Sequence, residues 1–159
     1  MAQKRSAGLL LFRRAGEEET DIEVLLGHMG GPLWDRRGDA GTWAIPKGEY
    51  GPEETPLDAA RREFTEEIGL PPPEGPYLPL GESRMPSGKL VTIWAVRADL
   101  DPALMVPGTF TMEWPPHSGR IGEFPELDTV AWFTPAVAES RLLPGQVAFL
   151  ERLLGLLKG

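Results

Sequence analysis

The chain has 159 residues, 41% hydrophobic and 25% charged, with no cysteine and a net charge of −8. That length suits one domain, residues 1–159, with a substantial core. The missing cysteines exclude disulfides, thiolate metal sites and cysteine nucleophiles; no apolar run approaches the ~20 residues of a membrane span; and the acidic balance argues against a nucleic-acid partner. Residues 8–12 form too short an apolar run for a signal-peptide core, so the expectation is a cytoplasmic protein.

In chain order, residues 6–13 are a β-rich apolar run and residues 22–28 a second strand, expected antiparallel to the first. Residues 29–42, rich in Gly, Pro and Asp and carrying Trp34, read as a long exposed loop and one wall of a cleft. Trp43 and Ile45 alternate with Ala44 as in a short strand, which Pro46 ends. Lys47 follows beside a glycine, where a cation can meet phosphate. Residues 71–76 are a stiff connector. Residues 77–82 and 89–97 read as a hairpin about the turn 85–88, the second strand apolar on both faces and therefore central. Residues 99–119 read as long and irregular, with an extended piece carrying Glu113 and Trp114 and then a lid-like loop. A short strand at 129–133 precedes a helix that starts at Pro135. A last helix follows Pro144-Gly145 and runs to about Leu157.

The most informative stretch is 48–70, G-E-Y-G-P-E-E-T-P-L-D-A-A-R-R-E-F-T-E-E-I-G-L. Thr55 is a good N-cap, Pro56 suits the first helical position, and Gly69 is a natural left-handed stop, so a helix is predicted over Pro56–Ile68. Leu57, Ala60, Phe64 and Ile68 form its apolar stripe. Glu63, Glu66 and Glu67 fall at i, i+3 and i+4, where like charges repel and, near a helix C-terminus, oppose the macrodipole. Arg62 relieves only part of this, through Glu66. A divalent cation resolves the conflict, and an oxygen-only donor set points to Mg²⁺ or Mn²⁺.

These residues resemble the Nudix box, G-x5-E-x7-R-E-U-x-E-E-x-G-U. Gly48, Glu54, Arg62, Glu63, Phe64, Glu66, Glu67, Gly69 and Leu70 match every fixed position, at a chance on the order of 10⁻⁹ per start position. The preceding W-A-I-P-K-G is similar to the version in dinucleoside polyphosphate hydrolases of that family. The resemblance implies an α/β fold, the Nudix α/β/α sandwich with a mixed sheet between helical layers. It implies a metal site of Glu63, Glu66, Glu67 and the Gly48 carbonyl, with Arg62 orienting Glu66 and Glu54 bracing the loop–helix junction. The general base stays open among Glu66, Glu67, Glu113, Glu123 and Glu126; the position of Glu126 resembles that of an acidic residue in the dinucleoside polyphosphate hydrolases. Trp34 and Trp114, both in loops, are the candidate nucleobase contacts, with Lys47 the candidate phosphate contact.

The leading expectation is Mg²⁺-dependent hydrolysis of a phosphoanhydride in a nucleoside diphosphate linked to another group, with diadenosine tetraphosphate favoured. Alternatives are a nucleoside triphosphate pyrophosphatase, an ADP-sugar hydrolase, and a nucleotide-sensing module without catalysis. The expected partner is a nucleotide-type small molecule, and the expected assembly a monomer or homodimer.

Overall fold

The structure is a computed structural model that describes residues 4–34 and 40–159. The elements run β1 (Arg5–Arg14), β2 (Ile22–Met29), β3 (Trp43–Ala44), β4 (Lys47–Glu49), α1 (Pro56–Ile68), β5 (Tyr77–Arg84), β6 (Leu90–Arg97), β7 (Thr109–Glu113), β8 (Ile121–Pro125), β9 (Leu127–Phe133), α2 (Pro135–Arg141) and α3 (Val147–Lys158).

β1 is the spine. It runs parallel to β6 from Arg5 opposite Leu90 to Phe12 opposite Arg97. Its first residues pair antiparallel with β4 and its last with β2, as expected for β2. β9 and β3 extend the sheet beyond β2, and β5 closes the other edge against β6. A continuous apolar run such as Leu9-Leu10-Leu11-Phe12 needs cover on both faces, and β1 receives it. Ala7, Leu9 and Leu11 pack with Ala59, Ala60, Phe64 and Ile68 of α1. Leu10 and Phe12 pack with Ala138, Phe149, Leu150 and Leu153 of α2 and α3. The result is the expected mixed sheet between helical layers.

α1 has the predicted bounds. Thr55 caps it by accepting from the Asp58 N–H at 3.3 Å, and Gly69 ends it at φ 79°. Its buried face differs from the apolar stripe: Leu57 is half-buried, while Glu63 and Glu67 are buried alongside Ala59, Ala60, Phe64 and Ile68. Two of the three box carboxylates therefore sit in the packing layer, and Glu66 alone faces outward.

Residues 99–119 are more regular than their prolines suggest. They hold a 3₁₀ turn at Pro102–Leu104 and then β7, which pairs with β8 in a separate two-stranded ribbon. Part of the long loop after β2, residues 35–39, lies outside the described residues. Among the described residues no helix is long and apolar enough to cross a membrane.

Candidate active site

A cleft opens where the C-terminal half of α1, β4 and the β8–β9 junction meet, and it has two lobes. The polar lobe, about 380 Å³, is lined by Gly48, Glu63, Glu66, Glu67 and Glu126, with Ser6, Lys47, Glu49 and Lys89 on its strand side. The other, about 230 Å³, is lined mainly by Met29, Trp34, Ile45, Phe110, Leu127 and Leu143. Lys47, Glu67 and Glu126 border both. The structure thus brings Lys47, Gly48, Glu63, Glu66, Glu67, Glu126 and Trp34 to one place.

Arg62 organises the helix side. Its Nε and Nη2 donate to the two oxygens of Glu54, each at 2.8 Å, and Nη1 donates to Glu63 at 2.8 Å and Glu66 at 3.1 Å. The Glu54–Arg62 fork ties the loop before α1 to the helix, the bracing expected of Glu54. The expected Arg62–Glu66 contact is present, and Glu63 joins it.

Burial sets the electrostatics. It pushes Glu67 up to about 8, and the neighbouring Glu126 carboxylate adds to the effect. Burial also raises Glu63, against the opposing pull of Arg62. Lys47 is lowered, first by burial and then by the like charge of Lys89. A carboxyl held protonated near neutral pH in a cleft that already contains other carboxylates is a site short of positive charge.

The donor set fits a hard divalent cation: carboxylates and a carbonyl, with no sulfur or imidazole lining the polar lobe. A cradle supports the fit. A Cβ on Gly48 would lie 2.5 Å from Glu63 Oε1 and closer still to Cδ and Oε2, so the bare glycine is what lets the Glu63 carboxylate rest against the Gly48 backbone. Among the described residues no three acidic, imidazole or thiol side chains are gathered as a ready-made cage, and Arg62 holds Glu63 and Glu66.

Glu126 is fixed through the backbone. The carbonyls of Ile68 and Glu67, at the end of α1, accept from Val106 and Gly108. Gly108 in turn accepts from the Glu126 N–H at 2.9 Å, and the Glu126 carbonyl accepts from Gly30 at 3.0 Å, at the root of the segment bearing Trp34.

Three of the sequence candidates stand away from the cleft lining. Trp114 lines neither lobe; it sits at the tip of the β7–β8 ribbon, where its backbone N–H donates to the Arg120 carbonyl. Glu113 spends its carboxylate on the N–H groups of His117 and Gly119 in that same turn. Glu123, exposed on β8, lines neither lobe. Of the open set of bases, Glu66, Glu67 and Glu126 remain in the cleft. Phe110 was missed. Its place on the cleft follows from the β7–β8 pairing, where it stands opposite Phe124, and nothing local in the sequence announces it.

The chain resembles known proteins in sequence and in fold. RNA pyrophosphohydrolases of Pseudomonas putida and Pseudomonas fluorescens are 45% identical to it over 47 residues, 30% of this chain. The match spans 30% of the length of those relatives. Among solved structures, a C. elegans Ap4A hydrolase in a binary complex superposes with a TM-score of 0.65 at 19% identity, covering 97% of this chain and 98% of that one. The NUDIX domain of Shewanella oneidensis NrtR complexed with ADP ribose gives 0.64 at 15% identity, with 99% and 90% covered. RenU, a Nudix hydrolase from M. smegmatis, gives 0.57 at 29% identity, with 97% and 85% covered. The first two likenesses show the fold alone. The NUDIX domain family model matches residues 2–153, and with the fold and the box residues of α1 in agreement, the chain belongs to the NUDIX domain family.

Proposed function

We propose that this chain is a pyrophosphohydrolase that uses Mg²⁺ or Mn²⁺ to cleave a phosphoanhydride in a nucleoside diphosphate linked to another group, a dinucleoside polyphosphate such as diadenosine tetraphosphate being the favoured substrate. The observation that carries this reading is the joined cleft: an acidic lobe suited to metal and phosphate opens directly onto an apolar lobe with Trp34 and Phe110, and both share Lys47, Glu67 and Glu126. Phosphate chemistry and base stacking need that adjacency. The W-A-I-P-K-G segment and the place of Glu126 in the cleft favour the dinucleoside substrate.

Glu63, Glu66, Glu67 and the Gly48 carbonyl would hold the cation, which supplies charge neutralisation and polarisation of the phosphate oxygens. Arg62 orients Glu63 and Glu66. Lys47 faces the phosphate chain from the sheet side. Glu126, solvent-accessible and anchored by its backbone, accepts the proton of the attacking water; Glu66 and Glu67 stay with the metal. Trp34 and Phe110 take the base. A cysteine-free, acidic chain suits work in the cytoplasm.

The test is a substrate panel in Mg²⁺: diadenosine tetraphosphate, a nucleoside triphosphate and an ADP-sugar, run in ¹⁸O-water to locate the attacked phosphorus. Consumption of the triphosphate with diadenosine tetraphosphate untouched would remove the favoured substrate; no cleavage at all would leave a sensing module. The Pseudomonas relatives favour a second reading, removal of pyrophosphate from a 5′-triphosphate RNA end. The net charge of −8 opposes it, and a triphosphorylated oligoribonucleotide in the same panel decides.

A further inference from the structure

Ser6 is 1% exposed, it lines the polar lobe, and among the described residues its Oγ has no hydrogen-bond partner. A buried hydroxyl left without a partner costs stability unless something else uses it. Ser6 stands opposite Glu49 in the β1–β4 pair, and Lys89 reaches the same place, its Nζ on Glu49 at 2.8 Å. Lys47 lies on the same wall, so two lysines line a single lobe. Their like charges repel, and Glu49 answers only Lys89 directly. An unused donor beside two cations makes a place for an anion. It lies across the lobe from the α1 carboxylates, which repel phosphate unless a metal intervenes.

We infer that Ser6, Lys47 and Lys89 form a second anion subsite, on the strand side of the cleft, that takes a phosphoryl group of the substrate beyond the one held at the α1 carboxylates. This rests on the reading of the cleft as a phosphoanhydride site, and it deepens that reading. The lobe grips the phosphate chain at two points, one through acidic ligands and metal and one through direct cationic and hydroxyl donors. The preferred substrate then carries a phosphate chain long enough to engage both points. Glu49 modulates the second grip by competing for Lys89.

The test is calorimetric binding of a methylene-bridged, non-hydrolysable ATP analogue at fixed free Mg²⁺. Ser6→Ala should raise the Kd by roughly 3- to 10-fold, the worth of one hydrogen bond to a charged group, while its melting temperature stays at or above that of the parent, since an unpartnered polar atom has gone. Lys89→Gln should raise the Kd roughly tenfold, and Lys89→Arg should recover most of it. Glu49→Gln should tighten binding by freeing Lys89. If the Glu49–Lys89 pair were only a structural bridge, Glu49→Gln and Lys89→Gln would behave alike, and that result overturns the inference. So does unchanged affinity in both Ser6→Ala and Lys89→Gln. Turnover of the substrate panel by the unaltered protein tests the underlying reading separately: an active enzyme whose variants bind normally sinks the subsite alone.

Discussion

Replacing Gly48 by alanine should separate folding from chemistry. Gly48 has no positive φ, so alanine meets no backbone strain there. The added Cβ would lie 2.5 Å from Glu63 Oε1 and nearer still to the rest of the carboxylate, where ordinary contact begins near 3.4 Å, so the carboxylate must retreat by about an ångström or more. It sits at the end of a flexible side chain and can do so cheaply. The retreat gives up the 2.8 Å bond from Arg62. Because Arg62 is 38% exposed, that loss is worth only about 0.5–1 kcal/mol. The reduced freedom of the unfolded chain returns about 0.4–1 kcal/mol. Net stability should therefore change by less than about 1 kcal/mol, a few degrees in melting temperature. Metal affinity should fall roughly 10- to 100-fold, as when a supporting contact of a ligand is lost. Thermal melts with and without Mg²⁺, and turnover against Mg²⁺ concentration, read both quantities. An unchanged Mg²⁺ requirement would refute the placement of Glu63 at the metal. A loss of several kcal/mol without metal would show that the glycine serves the fold instead.

Further outcomes follow from the same geometry. Glu67→Gln should abolish turnover, with rate loss of roughly 10²-fold or more through weakened metal binding, measured at saturating substrate. Glu67 also governs pH behaviour. Its pKa is raised in the fold to about 8 from 4.5, so its contribution to metal-free stability is full below pH 4.5 and is lost as pH rises through 8. Denaturant melts of the unaltered protein should lose on the order of a few kcal/mol across that window relative to Glu67→Gln; parallel profiles would contradict the burial argument. Phe64→Ala removes a ring that is 1% exposed and should cost about 3–5 kcal/mol in urea unfolding. Arg62→Lys breaks the two-pronged hold on Glu54 and should lower kcat more than it lowers stability, since a lysine cannot serve Glu54, Glu63 and Glu66 together.

What the sequence made legible is what local chemistry determines. The bounds of α1 could be read because Thr55, Pro56 and Gly69 act within one turn of the ends they mark. The central place of β6 could be read because its apolar residues fall on both faces. Its parallel pairing with β1 could not: more than seventy residues separate Leu9 from its partner Trp94, and nothing in either strand names the other. The β7–β8 ribbon was missed for a related reason. Its faces alternate only between exposed and half-buried, as in Thr109–Glu113, so its hydrophobic signal is weak and the surrounding prolines dominate it. Phe110, which lines the cleft, was consequently passed over in favour of Trp114, which lines neither lobe. The burial of Glu63 and Glu67 ran against the ordinary preference of glutamate for water. A stripe drawn from apolar residues alone had to pass them by, although the dense spacing of the box carboxylates hinted at their purpose.

The backbone stitching from the end of α1 through Gly108 to Glu126 and on to Gly30 has a consequence for how this protein can change over time. Every link in that chain is an amide, but its two glycine stations admit no side chain, because a Cβ on Gly108 would run into the Glu66 carbonyl and one on Gly30 into the Pro125 carbonyl. Away from those two glycines, the loops on either side of Glu126 can accept new residues, and with them new preferences for what is bound, while the carboxylate keeps its station relative to the helix. The scaffold thereby uncouples inventiveness in recognition from conservatism in reaction, and a lineage built on it can explore substrates without re-solving the chemistry each time.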